Sequence, residues 1–165
     1  EHLGGLKELS VLDLQDTLAD DDSLRALSGL KGLLQLDLSH CPVTGRGVAH
    51  LAGLRGLWKV NLASTKLNDE GLAHVARLRA LRWLSISDTG ITDDGLAHLA
   101  DKKRLETLIL NDTNLTDEAV KHLKTLTGLT QLELTGTRIG EGAINELRQA
   151  LPRTRIEKQD KRWDD

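Results

Sequence analysis

The chain has no Phe, no Tyr and no Met, and its only aromatic residues are three Trp in 165 positions. Any core must therefore be aliphatic, and 35 Leu are present to build it. A single cysteine, Cys41, permits no internal disulfide, which excludes a small secreted fold held by staples and is compatible with a reducing compartment. No apolar run approaches the roughly 18 residues of a membrane span. No basic-plus-apolar leader is read at the start either. Positive charge does not dominate, with 22 Lys and Arg against 25 Asp and Glu and a formal charge of −3. That balance excludes a generally basic nucleic-acid binder and leaves room for a local basic patch. With 39% hydrophobic and 28% charged residues, the composition is that of a folded chain, and the length suits one domain.

What is present is a period. The pattern Leu-x-x-Leu-x-Leu-x-x-Thr begins at Leu9, Leu33, Leu57, Leu81, Leu105 and Leu129, each 24 residues after the last. Numbering each unit from its leucine, position 4 is Leu12, Leu36, Val60, Leu84, Leu108 and Leu132. Position 6 is Leu14, Leu38, Leu62, Ile86, Leu110 and Leu134. Residues two apart point to one face of a strand. Beyond position 12 the apolar residues recur at 16, 19 and 22, as on one face of a helix. Thr92-Asp93-Asp94 and Thr116-Asp117-Glu118 read as caps and first-turn acids, and Gly32, Gly56 and Gly128 as stops. Each unit is strand, turn, helix, turn. One unit owns too few aliphatic side chains to offset the entropy of ordering itself, so neighbours must stack, pairing strands in a parallel ladder. Small residues at position 15 (Ser23, Gly47, Gly71, Gly95, Ala119, Ala143) are expected to let the helix start approach the strand layer.

The stretch at 81–99, Leu-x-x-Leu-x-Ile-x-x-Thr-x-Ile-Thr-Asp-x-Gly-Leu-x-x-Leu, resembles a leucine-rich repeat. It is most similar to the cysteine-containing-like or GALA-like subclass of many bacterial proteins and of the substrate-binding part of some F-box proteins. Six in-phase copies make the resemblance specific for fold. It implies a right-handed α/β solenoid (a horseshoe), with a parallel sheet on the concave face, helices on the convex face and a binding role. Three departures stand out: Thr in place of Asn or Cys at position 9, Ala19 at position 11, and Lys102 where position 22 expects Leu.

A single domain is expected over 1–156, opening with a partial helix at 1–8, and followed by a charged tail at 157–165. Ile156 is a candidate for a final half-strand, and Trp163 for docking over the last repeat. The chain reads as a piece of a longer repeat array.

Five histidines share position 18: His2, His50, His74, His98 and His122. Helices about 8–10 Å apart cannot bring such a row onto one metal with bonds near 2 Å, so an outer-face consensus residue is expected and no metal site. Bases share position 23 (Lys7, Lys31, Arg55, Arg79, Lys103), and acids share positions 13 and 14. Helix dipoles account for both rows; a basic edge for an acidic partner, strengthened by Arg77, Arg82, Lys102 and Arg104, is the alternative.

The candidate binding surface is the strand face, positions 3, 5 and 7. It is small or polar except for Trp83 and Ile109 on adjacent strands, with Trp58 and Leu34 at position 2 beside them. Aromatic anchors of this kind mark protein interfaces. The expected site is centred on Trp58, Trp83 and Ile109 and tuned by Lys59, Arg82, Asp88, Asn111 and Asp112. No catalytic motif is found, and Cys41 beside His40 reads as a core thiol rather than a nucleophile. The expectation is non-enzymatic protein recognition by a monomeric piece, with no cofactor, metal, nucleic acid or membrane. The alternative is a scaffold or a substrate-recognition segment of a larger, possibly enzymatic, protein.

Overall fold

Each Leu-x-x-Leu-x-Leu segment places one three-residue strand in a sheet: β1 (Val11–Asp13), β2 (Gln35–Asp37), β3 (Lys59–Asn61), β4 (Trp83–Ser85), β5 (Thr107–Ile109), β6 (Gln131–Glu133) and β7 (Arg155–Glu157). The computed structural model describes Leu6 and residues 8–159. The expectations placed on His2, Lys7, Trp163 and most of the N-terminal helix lie outside the described residues. The strands run parallel in chain order, and Leu12, Leu36, Val60, Leu84, Leu108, Leu132 and Ile156 stand side by side. Pairing continues past the strands: the Leu38 amide donates to the Asn61 carbonyl and the His40 amide to the Ala63 carbonyl, both at 2.9 Å. β7 joins β6, so the sheet runs through Ile156 and one residue into the segment read as a tail.

The core is one continuous stripe. Leu33, Leu57, Leu81, Leu105 and Leu129 at position 1 are buried, as are positions 4 and 6 from the second repeat onward. The first repeat differs: Leu9, Leu12 and Leu14 are only partly buried, and Val11 is 54% and Leu18 92% exposed. Paired strands sit about 4.8 Å apart and packed helices about 8–10 Å, so the stack bends toward its sheet, which lines the inner arc.

The outer layer holds one helical segment per repeat, as the sequence predicts, but its type varies. α1 (Asp21–Leu27), α3 (Asp69–Val75) and α5 (Glu141–Ala150) are α-helical. In the second repeat α2 (Gly45–Val48) passes into a 3₁₀ segment, Ala49–Gly53. The fourth repeat has 3₁₀ helix alone, Asp94–Leu99, and the fifth starts as 3₁₀ before α4 (Val120–Leu123). Apolar residues at 16, 19 and 22 recur every third position, which suits three residues per turn as well as 3.6.

Polar groups inside the stripe are matched locally. Thr65, Thr89, Thr113 and Thr137 at position 9 are buried, and each hydroxyl donates to the position-6 carbonyl of its own repeat at 2.6–2.7 Å. Cys41 replaces Thr there and turns its thiol to Leu14 O of the preceding repeat, 3.0 Å away. Position 8 turns the chain out of the strand through the left-handed region, at Asp16, His40, Ser64, Asp88, Asp112 and Gly136 with φ between 51° and 74°. Short polar residues and Gly accept that conformation at least cost.

Candidate interaction face

Registration carries each strand's outward residues into rows across the sheet. Position 3 reads Gln35, Lys59, Trp83, Thr107, Gln131 along one line, and position 5 reads Asp37, Asn61, Ser85, Ile109, Glu133. Trp83 and Ile109 are therefore diagonal neighbours on β4 and β5, a separation that large side chains can span. Lys59, opposite Trp83 on β3, holds its ammonium 4.7 Å from the centroid of the Trp83 ring. This cation–π contact shields one side of a half-buried indole.

The flanks of this centre are polar and largely committed. Asp37 accepts from the Ser39 amide at 2.9 Å, the Ser39 hydroxyl at 2.6 Å and the Asn61 side chain at 2.9 Å. Burial opposes the charge on Asp37, but the Ser39 and Asn61 hydrogen bonds, helped by the Lys59 ammonium, prevail and hold the carboxyl below its usual 3.8. On the other flank Asn111 donates to Glu133 at 2.8 Å and accepts from the Thr135 amide at 2.8 Å, while Gln131 donates to Glu133 at 2.7 Å. Asn111 is thus a bridge between β5 and β6. The Ser87 hydroxyl oxygen, also on this face, is buried with no hydrogen-bond partner among the described residues.

The residues expected to form one site fall into three places. Lys59, Trp83, Ile109 and Asn111 share the strand face. Trp58 and Arg82 precede the strands and face a groove of about 510 Å³ on the edge where loops enter the sheet, lined also by Gly56, Ala80, Arg104 and Glu106. There Arg82 is paired with Glu106 at 3.0 Å, both side chains about half exposed. Asp88 and Asp112 are the left-handed turn residues at the opposite ends of their strands, so the turn itself explains an Asp at each. The Arg82–Glu106 pair could have been read from sequence, since opposite charges 24 residues apart at position 2 become lateral neighbours.

The acids of position 13 also have a second role that the dipole argument does not contain. Asp93 accepts from the Thr116 amide at 2.9 Å and the Thr116 hydroxyl at 2.6 Å, tying the fourth repeat to the fifth. Asp21 does the same for Thr44, Asp69 for Thr92, and Asp117 accepts from the Gly140 amide. The small residues at position 15 make room for this staple: a Cβ on Gly47 or Gly95 would strike the Asp21 or Asp69 carboxylate of the preceding repeat. At these two positions the missing side chain makes room for the carboxylate of the neighbouring repeat. Only between the second and third repeats does Gly45 stand at position 13, and there two backbones meet directly, a Cβ on Gly71 lying 2.6 Å from the Gly45 Cα.

No nucleophile–base pair is assembled at Cys41, which is buried with its thiol on a carbonyl, while His40 is exposed on the turn. Of the position-18 histidines, His50 and His98 are exposed and His74 and His122 half-buried. Among the described residues no three His, Cys, Asp or Glu are grouped to hold a metal ion, and no helix is long and apolar enough to cross a membrane.

The leucine-rich repeat family matches at residues 33–52 and 79–100. No curated protein matches the chain. Among solved structures, internalin C2 of Listeria monocytogenes is similar at 25% identity with a TM-score of 0.78, over 95% of this chain and 64% of its own. The plant peptide hormone receptor RGFR1, solved in complex with RGF2, matches at 20% identity and TM-score 0.59, over 96% of this chain and 30% of its own. A leucine-rich repeat protein of Leptospira interrogans matches at 20% identity and TM-score 0.60, over 94% of this chain and 50% of its own. The chain thus spans less than two thirds of each of these structures.

Proposed function

We propose that this leucine-rich-repeat solenoid is a non-enzymatic module that recognises a protein partner through its concave strand face. The observation that carries the reading is the Trp83–Ile109 pair, a half-buried indole and a half-buried isoleucine on adjacent strands in a face made mostly of small or polar side chains, with Val11 on the terminal strand the other apolar residue. An indole kept in place by Lys59 and bordered by polar residues already bonded to one another is a preorganised anchor, because little side-chain entropy remains to be lost on binding. Trp58 and Arg82 extend the surface around the edge, with Asn111 setting the polar border; Asp88 and Asp112 contribute negative charge at the far rim.

Repeat solenoids use their extended concave surfaces for binding, and one of the similar structures is a plant peptide hormone receptor solved in complex with RGF2. The 24-residue period and the Thr-Asp step at positions 12 and 13 support assignment to the cysteine-containing-like or GALA-like subclass. The test is capture of partners from extracts of the source organism by wild type, by Trp83→Ala/Ile109→Ala, and by Lys121→Ala on the outer helical face. Loss of a partner from the strand-face variant alone, with far-UV circular dichroism unchanged, supports the reading. Equal capture by all three refutes this surface and leaves the scaffold role.

A further inference from the structure

The charges of the molecule separate onto its two edges. The loops that enter the strands carry Arg55, Arg79 and Lys103 at position 23, with Arg82 and Arg104 beside them, and Asp101 and Glu106 as the acids flanking the entry to β5. The loops that leave the strands carry the left-handed aspartates and the position-13 staples. Within a chain of net charge −3, the entering edge is therefore a concentrated basic strip. Among the described residues Arg55, Arg79, Lys103 and Arg104 form no ion pair, and Arg82 alone is paired, with Glu106.

The strip is also recessed. The groove lined by Gly56, Trp58, Ala80, Arg82, Arg104 and Glu106 holds about 510 Å³. A second recess of about 510 Å³ opens beside Lys31, Gly53 and Arg55. Glycine and alanine at the loop bends leave these hollows, and Trp58 supplies an apolar surface in the first. Unpaired guanidinium groups along the strip, with Arg104 beside the apolar Trp58, favour a ligand with both carboxylates and a hydrophobic side chain, since planar guanidinium binds carboxylate in a two-pronged geometry.

We propose that this edge docks an acidic segment of a protein partner, with an apolar side chain of that segment seated on Trp58 and its carboxylates on Arg104, Arg79 and Arg55. A nucleic acid is the poorer occupant: one indole on the strip provides no run of stacking platforms. The acidic opposite edge repels the same segment, so the partner's approach is one-sided.

The test uses a fluorescein-labelled peptide in which glutamate pairs alternate with single leucines, and an oligothymidylate of equal charge as the competing probe. Fluorescence anisotropy is read with wild type, with Arg55→Glu/Arg79→Glu/Arg104→Glu, and with Trp83→Ala/Ile109→Ala. The expected result is saturable peptide binding that weakens about tenfold or more in the charge-reversal variant and about tenfold between low and high salt. Binding by the Trp83→Ala/Ile109→Ala variant should be unchanged, which separates this edge from the strand face. Absence of peptide binding, an unaltered affinity in the folded charge-reversal variant, or oligothymidylate binding as tight as the peptide overturns the proposal.

Discussion

Asp93→Ala separates two explanations of the same acidic row. If position-13 acids only complement helix dipoles, Asp93 and its neighbour Asp94 are equivalent, each contributing about 0.3–1 kcal/mol at low salt. The structure makes them unequal. Asp93 accepts two hydrogen bonds from Thr116 of the next repeat, at 2.9 and 2.6 Å, whereas Asp94 is exposed. Hydrogen bonds to a charged group contribute about 1.5–3 kcal/mol when well shielded, and the half-buried setting of Asp93 places each near the lower end. Removing the carboxylate should cost about 2–3 kcal/mol, against less than about 0.5–1 kcal/mol for Asp94→Ala. Urea denaturation followed by circular dichroism reads the difference as a shift in midpoint. A double-mutant cycle with Thr116→Val should return a coupling of about 1 kcal/mol, the share of the hydroxyl bond alone. In about 1 M salt the Asp94 effect should fade and the Asp93 effect persist. Equal shifts for the two alanine variants, or loss of both in salt, would refute the staple.

Other expectations follow from the same geometry. Gly71→Ala places a Cβ 2.6 Å from both the Gly45 Cα and Leu67 Cδ1, so it should lower stability by about 2 kcal/mol or more in urea melts. Lys102 sits in the leucine row at position 22, half-buried with its ammonium on Leu78 O at 2.7 Å, and burial lowers its pKa. Burial thus makes the charged form less favourable in the folded than in the unfolded chain, and Lys102→Leu should raise the melting temperature, with a gain of roughly 1 kcal/mol from the added apolar burial. The Asp37 carboxyl has a folded pKa below its unfolded value, so its contribution is present above the unfolded pKa and is lost as pH falls through the folded one. Asp37→Asn should accordingly flatten the acid limb of a stability profile below about pH 4 while changing little in the slope at neutral pH.

The architecture was legible because it follows from spacing alone. Leucines at positions 1, 4 and 6 of a strict 24-residue period define strands, their pairing and their register, and Leu12, Leu36 and Leu84 take the places that count assigns. Helix type was not legible, since an apolar residue every third position is common to α and 3₁₀ turns and the fourth repeat chooses the tighter one. The role of Asp93 was hidden for another reason: a first-turn acid already has a local explanation, and its partner Thr116 is 23 residues on, not 24. Trp58 illustrates the limit of alternation. It stands one residue before β3, where period-two facing no longer holds, and the loop turns it to the edge groove instead of the row of Trp83.

Lateral registry of residues 24 apart underlies every surface described above, and amide-to-amide nuclear Overhauser effects test it most directly. The account predicts cross-strand contacts in one unbroken series from Leu12–Leu36 through Leu84–Leu108 to Leu132–Ile156. A series offset by one residue, or contacts between strands running in opposite directions, would contradict it.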